Sequence, residues 1–176
     1  NIKFMITDNR VVELSVVIPI YNEELIIDEL YKQLSESVSK ITSDYELIFV
    51  NDGSRDNSFS KISQLAAVDK KVFFINFSRN FGHQIAVTAG IDSCSGNAIV
   101  IIDGDLQDPP ELIREMYSKH KEGFEVVYAR RTDRKGESWF KKMTAKLFYR
   151  LLRKSTKIDI PIDTGDFRLI DRKVAD

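Results

Sequence analysis

Two aspartates one residue apart, Asp103-Gly104-Asp105, directly follow the apolar run Ala98–Ile102. Carboxylates that leave a buried strand together repel one another, so the pair calls for a cation. A hard divalent ion, Mg²⁺ or Mn²⁺, takes oxygen ligands and is often held by one or two carboxylates plus substrate phosphates. Gln107 offers a further oxygen, and Gly104 lets backbone or ligand come close. Three more polar clusters follow apolar runs: Tyr21-Asn22-Glu23-Glu24 after Pro19, Asn51 to Asp56, and Ser78 to His83. Any one of them is explained by turn chemistry or helix capping, as Asn51-Asp52-Gly53-Ser54 would be alone. Capping explains the whole set poorly, because it does not require so many carboxylates to converge.

The elements needed to bring them together are legible. Short apolar runs at Leu14–Ile18, Tyr45–Val50, Val72–Phe77, Ala98–Ile102 and Phe124–Tyr128 read as strands. Between them lie helical patterns. Leu25, Ile26, Leu30, Leu34 and Val38 share one spacing, and Asn57–Ala67 follows Asp56 as its N-cap. Gly82–Ser93 is the third helix, and Pro109-Pro110 opens a fourth that runs to His120. This alternation, with near-continuous apolar strands, predicts an α/β fold: a mostly parallel sheet flanked by helices. In such sheets ligands bind beyond the carboxyl ends of the strands, where all four clusters fall. After Ala129 the regular alternation stops: a polar stretch leads into a basic, aromatic-rich segment and then to IDIPIDTGDFRLI.

The composition of the 176 residues, 43% hydrophobic and 30% charged, is that of one folded domain. A single cysteine excludes a disulfide framework, and two histidines leave little room for His-rich metal sites. No apolar run approaches the roughly 18 residues of a membrane span, and no leader is visible, so the expected compartment is reducing. The chain lacks G-x-G-x-x-G after its first strand, a P-loop and a G-x-S-x-G elbow, which argues against dinucleotide dehydrogenases, P-loop NTPases and esterases. Phosphate would be managed by metal and by Arg or Lys.

Four segments in order, VIPIYNEE (17–24), NDGSRD (51–56), DGDLQDP (103–109) and DTGDFRL (163–169), resemble family 2 glycosyltransferases of the GT-A fold. The resemblance is strongest to the dolichyl-phosphate mannose synthase and undecaprenyl-phosphate glycosyltransferase branch, and spans Glu13 to Arg172. It implies a single catalytic domain over 1–176 that binds a nucleotide-sugar, UDP-linked in the bacterial branch, and transfers the sugar with inversion to a polyprenyl phosphate. It implies that Pro19, Tyr21, Glu23 and Asp52 line the nucleoside pocket. Asp103 and Asp105, with Gln107, would hold Mg²⁺ or Mn²⁺ against the donor diphosphate. Arg79, Asn80 and His83 match the same branch, Arg79 on the donor side. Asp163, Asp166 and Arg168 would form the second catalytic segment, with Arg130 near a phosphate. Relatives of this branch continue into membrane helices, so the expectation is a soluble fragment without them, working at the cytoplasmic face of the cell membrane.

The charge distribution fits that expectation. Between Ala129 and Lys157 eleven basic residues face two acidic ones, in a chain whose net charge is -1. Phe140, Met143, Leu147 and Leu151 fall on one helical face with Trp139 beside it, and Lys142, Lys146, Arg150 and Arg153 on another. An amphipathic helix of this kind is expected to lie in an anionic membrane interface rather than on nucleic acid. Packing against the protein's own core is the plainer alternative. Three other activities share the motifs: transfer to a saccharide acceptor, nucleotide-sugar binding without turnover and, more weakly, nucleotidyl transfer.

Overall fold

The computed structural model describes residues 12–130 and 164–176. Six strands form one sheet: β1 (Leu14–Ile20), β2 (Tyr45–Asn51), β3 (Val72–Asn76), β4 (Ala98–Ile101), β5 (Val126–Arg130) and β6 (Thr164–Asp171), in the order β3-β2-β1-β4-β6-β5. The helices are α1 (Ile27–Ser39), α2 (Ser58–Val68), α3 (His83–Ser93), α4 (Leu112–Lys121) and the short α5 (Arg172–Ala175). β1 pairs in parallel with β2 and β4, and β2 with β3. β6 runs antiparallel to both β4 and β5.

Side chains alternate across β1, and both faces are covered. Val16, Ile18 and Ile20 join Leu30, Leu34, Ile62, Ile113 and Met116 from α1, α2 and α4. Val17 joins Ala86 and Val87 of α3 on the opposite face, with Ile48, Ile99 and Ile101. Burial of this kind explains why the strands read as continuous apolar runs. A fully buried Phe or Leu contributes about 1.5–3 kcal/mol, and Phe49 and Phe167 are the largest such side chains. On the α3 face contact is close enough to exclude a methyl group. A Cβ on Gly90 would meet Val17 Cγ1 at 2.2 Å.

The predicted elements are present, with ends shifted by one to three residues, the most at the start of α4. The four-residue stretch before α4 is a turn in which the carbonyls of Pro109 and Pro110 accept from the amides of Leu112 and Ile113. One strand was not assigned from the sequence: residues 164–171 form β6, inserted between β4 and β5. The reason lies in the pairing. Phe167 and Leu169 enter one core, Ile170 enters the other, and Arg168 sits opposite both Ile101 and Tyr128. Because β6 is antiparallel, its beginning lies at the sheet edge where the parallel strands end.

The placement of β6 gives a stability test. Phe167→Ala should cost about 3–5 kcal/mol, the usual range for emptying a buried aromatic site, read as a lower midpoint in urea unfolding. A change below about 1 kcal/mol would mean that β6 does not close this core.

Candidate active site

The ends of β1, β2 and β4 and the start of α3 surround a cleft of about 470 Å³. It is lined by Pro19, Tyr21 and Glu23 from β1 and its loop, Asp52 after β2, and Asp103, Gly104 and Asp105 after β4. Asn80, Gly82, His83 and Ala86 come from the β3–α3 loop and the first turns of α3. Four carboxylates therefore share one cleft, and no Lys or Arg is among the described residues that line it.

Each is delivered by a specific local device. Asp52 is 4% exposed, and its backbone amide donates to the carbonyl of Ile20. Its Oδ1 accepts from the Phe81 amide at 2.7 Å and its Oδ2 from the Gly82 amide at 3.0 Å. Two amides thus donate to the carboxylate and fix the β3–α3 loop against the end of β2. Gly53, at φ +65°, makes that approach possible: a Cβ there would sit 2.2 Å from the carbonyl carbon of Arg79. Gly104 does the same across the cleft, where a Cβ would meet Ile20 Cδ1 at 2.4 Å.

After β4 the chain turns sharply. Leu106 takes φ +58°, and its side chain packs against the larger core cluster. The amide of Gln107 donates to Asp105 Oδ1 at 3.0 Å. Asp103 Oδ1 lies 3.7 Å from His83 Nε2, so the start of α3 faces the Asp pair. Burial pushes the Glu23 carboxyl above its ordinary value, and the charges of Asp105 and Asp56 push it the same way. Among the described residues no three His, Cys, Asp or Glu side chains are grouped to hold a metal ion by themselves. Asp103 and Asp105 provide oxygen donors only, which suits a hard cation that completes its shell with phosphate oxygens and water.

The model of the family described as Glycosyl transferase family 2 matches residues 15–176. The chain belongs to glycosyl transferase family 2. An uncharacterized glycosyltransferase of Bacillus subtilis (strain 168), YkcC, is 61% identical over 168 residues, 96% of this chain and 52% of that protein. The bactoprenol glucosyl transferase of Shigella phage SfV is 40% identical over 164 residues, 93% of this chain and 53% of that protein. The chain thus spans about half the length of the curated relatives it matches. Among solved structures, the mannosyltransferase PcManGT from Pyrobaculum calidifontis, in complex with GDP-Man and Mn²⁺, superposes with a TM-score of 0.66 at 19% identity, covering 93% of this chain and 46% of that one. Glucosyl-3-phosphoglycerate synthase from Mycobacterium tuberculosis, with UDP, gives 0.64 at 19%, over 93% and 58%. The fold of this family 2 glycosyltransferase is accordingly GT-A.

Within this glycosyltransferase the cleft brings together Pro19, Tyr21, Glu23, Asp52, Asp103 and Asp105 of the expected site. Arg79 and Gln107 are not among the lining residues. Arg79 instead lies over the Phe81 ring, 4.7 Å from its centroid. Arg168 is in β6 opposite Ile101, two residues before Asp103. Arg130 and Asp166 belong to β5 and β6 by backbone, but their side chains lie outside the described residues, as do Asp163, Trp139, Phe140, Lys142, Lys146 and Arg150. Ile20, Gly82 and Ala86 line the cleft without having been singled out. Gly82, at φ +101°, could have been flagged as the residue between a polar loop and a helix.

Two substitutions test this geometry. Gly53→Ala forces a strained φ and a backbone clash, so it should lower the melting temperature by the equivalent of about 1–3 kcal/mol. Glu23 titrates normally when unfolded but above its ordinary value when folded, so ionised Glu23 opposes folding at neutral pH. Glu23→Gln should therefore raise the melting temperature at pH 7. That gain should fade as the pH falls through the raised folded-state value and be gone below the unfolded value of about 4.3. A gain independent of pH would contradict the electrostatic account.

Proposed function

We propose that this chain transfers a sugar from a nucleotide-sugar, UDP-linked by preference, to a polyprenyl phosphate at the cytoplasmic face of a membrane, with inversion and with a divalent metal ion. The observation that carries the reading is the cleft itself: Glu23, Asp52, Asp103 and Asp105 converge on it from the ends of β1, β2 and β4. Paired carboxylates suit a hard divalent cation that travels with the donor diphosphate. Asp103 and Asp105 are the residues that would hold it. A bound Mg²⁺ or Mn²⁺ would neutralise charge on the departing diphosphate. The name of the Shigella phage relative, a bactoprenol glucosyl transferase, supports the acceptor class.

The chain's own residues set the reaction path. Tyr21 and Asp52 flank the space for the nucleoside, and the positive end of α3, at Gly82 and His83, favours the phosphates. The bond from the sugar carbon to the diphosphate breaks, and its electron pair leaves with the nucleotide. An acceptor phosphate oxygen, already ionised near neutral pH, forms the new bond from the opposite face. No proton needs to be removed from it, so positioning outweighs general-base strength. Arg168 and Arg130 are the candidates for that positioning, because guanidinium groups match phosphate geometry; Asp166 is a candidate orienting or base residue, with Asp163 in the same segment beside the acceptor. The basic, aromatic segment carrying Trp139, Phe140, Lys142, Lys146 and Arg150 would rest on the anionic membrane surface.

The test is a transfer assay with UDP-glucose, MnCl₂ and a short-chain polyprenyl phosphate. A β-linked lipid-phosphate sugar is expected, reduced by about 10²–10³ in Asp105→Ala. Transfer to free saccharides but not to the lipid phosphate would move the acceptor to the saccharide class. Binding of UDP without turnover on either acceptor would favour a non-catalytic module.

A further inference from the structure

The loops that follow β1 and β2 are joined by a reciprocal set of side-chain to backbone hydrogen bonds. The Asn22 amide donates to Ser54 Oγ at 3.0 Å, and Asn22 Oδ1 accepts from the Arg55 amide at 2.8 Å. Two residues on, the exchange repeats: the Glu24 amide donates to Asp56 Oδ2 at 3.0 Å, and Glu24 Oε2 accepts from the Asn57 amide at 2.7 Å. Between them the Glu23 amide donates to Ser58 Oγ at 2.9 Å. Three successive amides of one loop thus end on side chains of the other.

The clasp is anchored on both sides. Asn51, at the end of β2, accepts from the Ser54 amide through Oδ1 and donates through Nδ2 to Asn76 of β3 at 2.7 Å. Asp56 Oδ1 accepts from the Ser58 amide, the first of α2. Burial would raise the Asp56 carboxyl, but hydrogen bonds from the Ser58 hydroxyl and from the Ser58 and Glu24 amides hold it below its ordinary value. Lys61 of α2 pairs with Asp28 of α1, and Tyr31 Oη donates to Asp69 Oδ2 at 2.8 Å, so the helices that follow the two loops are also joined to each other. Asn22 takes φ +57°, a conformation that Asn tolerates better than most residues and that aims its amide and side chain at the neighbouring loop.

None of Asn22, Ser54 or Asp56 lines the cleft, whereas Tyr21 and Glu23, interleaved with the clasp residues, do. We propose that Asn22, Ser54, Glu24 and Asp56 are positioning residues for donor binding: the clasp holds Tyr21 and Glu23 at fixed distance from Asp52, across the nucleoside end of the cleft. The proposal rests on the reading of this cleft as the donor site. Without the clasp, four backbone amides and carboxylates would turn to water, and the loop after β1 would close only when the donor arrives. Ordering would then be charged against affinity.

The experiment compares Ser54→Ala, Asn22→Gly and Asp56→Ala with the unsubstituted protein. Glycine keeps the positive φ at 22 while removing the acceptor. Binding of UDP, and separately of GDP, is measured by calorimetry with MnCl₂, alongside melting temperatures and hydrogen exchange at the amides of 22–24. Each variant should weaken nucleotide binding about five- to tenfold, the equivalent of one or two hydrogen bonds, and speed exchange at 22–24. Ser54→Thr, which keeps the hydroxyl, should restore both. Faster exchange or a lower melting temperature with unchanged nucleotide affinity would make the clasp merely structural and overturn the proposal. Should the unsubstituted protein bind neither nucleotide, the donor-site reading itself fails and takes the clasp's role with it.

Discussion

The carboxylate of Asp52 is where the strand ends, the loops and the cleft meet. It is buried at the end of β2, and both oxygens are taken by the amides of Phe81 and Gly82. A buried carboxylate needs such partners, since an unpaired one would be costly to desolvate. The partners are supplied only if the β3–α3 loop folds back over β2, which in turn requires no side chain at Gly53. One acidic group therefore sets where α3 begins, and with it the position of His83 opposite Asp103. It also leaves lone pairs facing the cleft that it lines.

The remainder of the rim follows the same logic of neighbour holding neighbour. The loop after β1 is tied to the loop after β2 by amides that end on Ser54, Asp56 and Ser58. Asn51 then passes the connection to Asn76 on β3. The opposite edge of the sheet is also tied down, by a different device. Glu46, 3% exposed, accepts from Ser15 Oγ and from the Ser95 amide, both at 2.6 Å. Arg172 donates to the carbonyls of Cys94 and Gly96 there, which fixes the chain entering β4. With β4 pinned at its start and packed on both faces, Asp103 and Asp105 leave it at a defined height.

A glycosyltransferase cleft with this charge has an electrostatic consequence. Glu23 feels its acidic neighbours: burial and then the charges of Asp105 and Asp56 push its carboxyl above its ordinary value. The grouped carboxylates carry negative charge. They also disfavour a naked anionic ligand. Under the proposed function a cation held by Asp103 and Asp105 would offset such repulsion, so donor and ion are expected to bind together rather than in turn. Membership of family 2 and the GT-A likeness agree with such a site, while identities of 19% to the solved structures carry the fold alone.

Much of this was legible in the residues. Apolar runs bounded by Asn, Asp and Gly marked β1 to β5, most plainly β1, β2 and β4, which are buried on both faces, and the rule that ligands gather at the carboxyl ends of strands placed Asp52, Asp103 and Asp105 in one cleft. β6 was hidden. Phe167 and Leu169 alternate with Arg168, but nothing local says that the segment inserts between β4 and β5, since its pairing partners lie more than thirty residues away. The clasp was hidden for a related reason. Asn51-Asp52-Gly53-Ser54 is an ordinary turn by itself, and its partners at Asn22 and Glu24 become neighbours only through the parallel pairing of β1 with β2. Residue type determined which chemistry was available, because carboxylates and glycines announce themselves in sequence. The tertiary structure decided which side chains face the cleft and which, like Asp56 and Arg79, are spent on loops and rings, because hydrogen bonds across thirty residues depend on register.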